Sequence, residues 1–92
     1  MALRMTPDRA QTLALKALAF LANSDGALQR LMDQSGLDVG TLRLRAGDAD
    51  MQASLLDFLL SDEELLTSFC DGESVDSRDV HMARHVLGGE HE

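Results

Sequence analysis

The sequence predicts an all-α fold, a compact bundle of about six short helices. Three observations carry that prediction. Apolar residues recur three and four positions apart, which gathers them on one face of a helix. Each such stretch opens on a capping residue or a proline, or closes at a glycine, as helix ends do. No segment alternates apolar and polar residues with the β-branched enrichment of a strand.

Thr6-Pro7 opens the first helix with a capping hydroxyl and a proline at the first helical position. Ala10, Leu13, Ala14, Ala17, Leu18 and Leu21 follow at helical spacing. Leu15 and Phe20 widen that stripe, so the first helix is expected to be central and well buried. Asn23-Ser24-Asp25-Gly26 ends it. The second helix runs from about Ala27 to Gln34 with Leu28, Leu31 and Met32 inward, and Gly36 stops it. Asp38 caps a third, short helix around Leu42 that closes at Gly47. Asp48 starts the fourth, with Met51, Leu55, Leu56, Phe58, Leu59 and Leu60 inward. Ser61-Asp62-Glu63-Glu64 reads as a capping box, Ser61 bonding the Glu64 amide and Glu64 reaching back. The fifth helix carries Leu65, Leu66, Phe69 and Cys70 and is expected to stop near Gly72. Asp76 caps the sixth, with Val80, Met82, Ala83, Val86 and Leu87 on one face and Gly88-Gly89 at its end.

The chain also matches itself at a shift of 38 positions. Leu18, Phe20, Leu21, Leu28, Asp33 and Asp38 fall on Leu56, Phe58, Leu59, Leu66, Asp71 and Asp76 without a gap. Because the matches include caps as well as leucines, two packed copies of a long-short-short three-helix unit are expected. Phe20 and Phe58 should then occupy matching sites in one core.

With 92 residues, 1–92 should form a single domain, with 1–5 and 90–92 as frayed tails. Charge is unevenly spread. Residues 1–47 hold six basic and four acidic side chains, and residues 48–92 hold two basic and twelve acidic, for a net charge of −8. An acidic domain repels phosphate backbones, and with Phe20, Phe58 and Phe69 as its whole aromatic inventory it has little on which to stack bases. Nucleic acid is therefore disfavoured as a partner, although Arg4, Arg9, Lys16, Arg43 and Arg45 could share a basic end. A single cysteine, Cys70, fits a reducing compartment and a cytoplasmic location. The apolar stretch Leu13–Ala22 is interrupted by Lys16 and keeps helical periodicity, so it reads as a helix and not as a targeting segment. No run reaches the roughly 18 apolar residues of a membrane span.

The blocks LALKALAFLA, SGLD, LLDFLLSDEELLTSF and VDSRDVHMARHVLGG resemble a family of short alphaproteobacterial proteins, the domain of unknown function DUF3572. The likeness covers about Leu13 to Gly89. It implies a small all-helical cytoplasmic protein and brings no catalytic residue with it.

Candidate sites are few. His81 and His85, four apart, share a helix face and make half of a helical zinc site. The general-base glutamate of a full motif is replaced by Met82, and a third ligand would have to come from Glu90, His91 or Glu92. With Arg78 and Arg84 on the same side, where cations repel a metal, the strip reads as a solvated helix face, or as one that meets an acidic partner or the protein's own acidic segment. Cys70 sits at an apolar position beside Asp71, where a thiolate is disfavoured. Asp62, Glu63 and Glu64 occupy a first helical turn, where negative charge offsets the macrodipole. No catalytic residue, cofactor or metal is assigned. The expected function is a non-enzymatic protein-interaction or regulatory module, contacting a protein partner through Asp62, Glu63 and Asp71 or through Arg78, His81, Arg84 and His85. The alternative is a metal- or ligand-dependent enzyme subunit using His81 and His85. No membrane partner is expected, and a homodimer stays open.

Overall fold

The structure is a computed structural model that describes residues 5–24 and 26–88. Six helices follow in order: α1 Pro7–Ala22, α2 Ala27–Ser35, α3 Val39–Arg45, α4 Ala49–Leu60, α5 Glu63–Glu73 and α6 Ser77–Leu87. No strand occurs among the described residues.

Local chemistry accounts for most of the boundaries. The Thr6 hydroxyl accepts the Arg9 amide at 3.2 Å, and Pro7 follows where a missing N–H costs nothing. At the other end of α1, the Asn23 amide side chain donates to the Ala19 carbonyl and the Ser24 hydroxyl to that of Phe20. Asp25, expected in this turn, lies outside the described residues. Gly26 and Gly36 bracket α2 at φ 76° and 74°, backbone that an L side chain resists. Asp38 and Asp76 cap α3 and α6, accepting the Thr41 amide at 2.8 Å and the Arg78 amide at 2.9 Å.

One boundary differs from expectation. Asp62, not Ser61, caps α5, accepting the amides of Glu64 and Leu65 at 3.1 and 3.2 Å. Ser61 instead closes α4, donating its hydroxyl to the Phe58 carbonyl at 2.8 Å. Helix α5 ends at Glu73, near Gly72 as expected; Ser74 then makes the left-handed turn, and the Val75 amide reaches the Cys70 carbonyl.

The core forms where α1, α4 and α6 meet, so α1 is central as expected. Met51, Gln52, Ala53, Leu55, Leu56, Phe58 and Leu59 of α4 are buried, and the helix packs against α1, α5 and α6. Helix α1 buries the narrower stripe Ala10, Leu13, Ala14, Ala17 and Leu21, while Leu15 faces solvent. A wide apolar stripe thus identified an apolar helix without saying what covers each side. Val80, Ala83 and Leu87 of α6 enter the core, but Met82 is exposed. Met5, expected in a frayed tail, packs partly buried against the core; residues 1–4 and 90–92 lie outside the described residues.

The 38-residue register persists in the fold. Paired positions include the helix ends Ala22 and Leu60, the left-handed turns Gly36 and Ser74, and the caps Asp38 and Asp76. Leu21 and Leu59, Leu31 and Phe69, and Leu42 and Val80 are buried in pairs. The phenylalanines are less equal. Phe58 is buried beneath the Arg30 guanidinium, 5.8 Å from the ring centre, whereas Phe20 is half-buried with its ring edge-on to Phe69 at 5.5 Å. The second half is not long-short-short either, because α6 at 11 residues outruns the 7 of α3.

Candidate interaction surface

The sequence-predicted residues fall on two surfaces of the second half. His81 and His85 are exposed along α6, as is Arg78, whose guanidinium bonds Asp76 at 3.2 Å. Arg84 is half-buried and its Nε donates to Asp57 on α4 at 2.6 Å. Through this pair Arg84 joins α6 to an acidic residue of the protein itself, one of the outcomes expected for the strip. No group of three His, Cys, Asp or Glu side chains that could hold a metal occurs among the described residues, and Glu90, His91 and Glu92 lie outside them.

On α5, Asp62 is engaged by the helix cap and by Arg30 of α2 at 3.2 Å. The Leu65 amide first, then Arg30, hold its carboxyl below the ordinary carboxylate range. Glu63 and Asp71 remain exposed. Cys70 is half-buried; desolvation, then Asp71, Asp76 and Asp79, push its thiol up, which leaves it a poor nucleophile at neutral pH.

The surface that sequence reasoning missed lies on the first half. Leu15, Leu18, Ala19 and Ala22 of α1 form one wall of a groove of about 330 Å³, with Leu28 of α2 and Val39, Leu42 and Arg43 of α3 completing it. Leu15 is 46% exposed and Val39 47%. At the corresponding place in the second half, Ala53 is 7% exposed and Leu56 and Val80 are fully buried. Helix length explains the contrast. α6 continues to Leu87, lies along both α4 and α1 and bonds Asp57, the counterpart of Ala19. α3 stops at Arg45 and buries Leu42 alone, leaving the face of α1 beside it open. A signal existed in the register: large apolar Leu15 and Val39 align with small Ala53 and Ser77.

Charge marks the same half. The four ion pairs among the described residues use Arg30, Arg45, Arg78 and Arg84. Arg9, Lys16 and Arg43 are exposed and make none with described residues. Arg43 is the charged residue in the lining of the groove. Arg9 and Lys16 line a separate cleft of about 370 Å³ with Asp8, Glu73 and Asp79. Among the described residues no helix is long and apolar enough to cross a membrane.

No curated protein and no solved structure matches the chain. One family model does, over residues 7–90, which takes in all six helices and both halves of the register. The chain belongs to that family, DUF3572, described as protein of unknown function.

Proposed function

We propose that this chain is a non-enzymatic protein-interaction module of the cytoplasm, and that a partner protein docks on the open side of its first half. The observation that carries the reading is the groove between α1 and α3, where Leu15 and Val39 stay exposed although their counterparts in the second half are covered or polar. Apolar side chains left in water forgo about 25 cal/mol per Å² that a partner's apolar surface would recover. The acidic second half, with Glu63 and Asp71 exposed, supplies a field that steers association without itself forming the contact.

The test is capture from the native cytoplasm at low salt, using the full chain and its Leu15→Glu/Val39→Glu variant, with circular dichroism to verify that the variant is folded. The reading expects the wild type to retain a partner and the folded variant to lose it. Undiminished capture by the variant, with loss on charge reversal at Glu63 and Asp71, would move the interface to the acidic half and overturn the reading.

A further inference from the structure

We infer that α3 is a strap, which opens and recloses as a unit while α1, α2, α4, α5 and α6 stay packed. The bundle is joined by the packing of α4 on α6, α1 on α6, α1 on α4, α4 on α5, α1 on α2 and α5 on α6, and α3 takes no comparable part in it. Its seven residues bury one side chain, Leu42, while Val39 and Leu44 stay exposed. Its polar contacts are local: the Asp38 carboxylate accepts the Thr41 amide, and Arg45 pairs with Asp48 three residues on.

The second half shows what a fastened helix has at this place. There α6 buries Val80, Ala83 and Leu87 and ties Arg84 to Asp57 of α4. In the register Leu42 matches Val80, but Arg45 stands where α6 has Ala83, and α3 ends before the position of Leu87. The segment is held at its two ends instead. Leu37 packs against the core just after the left-handed Gly36, and past the helix the buried Gln52 of α4 donates its side-chain amide to the Ala46 carbonyl at 2.7 Å. Between those anchors α3 depends on Leu42 and on its own backbone bonds, and so short a helix is marginal by itself. Little burial and local bonding place a segment at the low end of the opening free energies of a fold. Opening carries away Val39, Leu42 and Arg43, the α3 wall of the groove, so the groove belongs to the closed form whether or not a partner docks there.

The test is amide hydrogen exchange of the isotope-labelled full chain in increasing urea, below the unfolding transition. Corrected for intrinsic rates, the amides of Leu42, Arg43, Leu44 and Arg45 should exchange about ten-fold or more faster than those of α2, α4 and α6. Their rates should depend little on urea, because local opening exposes little surface. Trypsin acting on the folded chain should cut after Arg43 and Arg45 before Arg30, Arg78 or Arg84. Gly40→Ala, whose added methyl meets no closer neighbour than Asp38 Oδ1 at 3.5 Å, should slow those cuts about five-fold by favouring the helix. Leu42→Ala should leave the α3 amides nearly unprotected and those of α1, α4 and α6 still protected. Exchange of α3 at the rate and urea dependence of α4, or of α2 together with α3, would overturn the inference. So would first cuts outside α3, cuts unchanged by Gly40→Ala, or loss of all protection in Leu42→Ala.

Discussion

Ser74 is the one non-glycine residue among the described ones whose backbone enters the left-handed region, at φ 55°. Gly36, its counterpart, takes the same conformation at no steric cost. Ser74→Gly should therefore stabilise the chain by about 1 kcal/mol. That raises the melting temperature by roughly 4–8 °C in a domain of this size. A lower melting temperature would mean that the serine contributes something the turn geometry does not. The aspartate caps make a second residue-scale prediction. The amides of Thr41, Leu65 and Arg78, with Arg30 adding to the second and the Arg78 guanidinium to the third, hold the carboxyls of Asp38, Asp62 and Asp76 below their ordinary range. A folded pKa below the unfolded one stabilises above the unfolded value and is lost as pH falls through the folded one. Thermal melts should thus weaken as pH drops below about 4. Asn at all three positions, which caps without a charge, should flatten that slope; an unchanged slope would assign the acid sensitivity to other groups.

At the scale of elements, the helices were largely legible because caps and stops are local. Thr6-Pro7, Asp38, Asp76 and Gly36 act on amides or carbonyls within a few residues of themselves. The α5 start was misplaced by one residue because Ser61 and Asp62 are both capping residue types, and it is the Asp62 carboxylate that accepts the Glu64 and Leu65 amides. Burial was less legible, since periodicity names an apolar face and not its neighbour. Phe20 and Phe58 looked equivalent, yet Phe69, fully buried and edge-on to Phe20, holds the deeper site. Phe69→Ala should cost about 3–5 kcal/mol in urea unfolding. Phe20→Ala should cost less, about 1.5–3 kcal/mol, as its ring is already partly in water. Equal costs would restore the symmetric core that the repeat alone implies. Helical spacing placed Arg84 on one helix with His81 and His85 but could not name its tertiary partner, Asp57 of α4.

For the whole molecule, the two halves share a register and differ in what they leave uncovered. The second half closes α6 over α4 and carries most of the acid; the first half leaves Leu15 and Val39 open beside Arg43. Stability should come from the one core they share, without a metal. A chelator is expected to leave the melting temperature unchanged, because a structural metal would contribute folding free energy directly. A bound equivalent of zinc, lost together with thermal stability in His81→Ala, would contradict that. The central claim, that the groove is a docking face, is tested most directly by a photo-crosslinking residue placed in the full chain inside its own cells. Placed at Val39 it should trap a second protein; placed at Leu44, 87% exposed on the same helix but outside the groove lining, it should not. Crosslinks of equal yield from both positions, or from neither while Asp71 traps a partner, would contradict it.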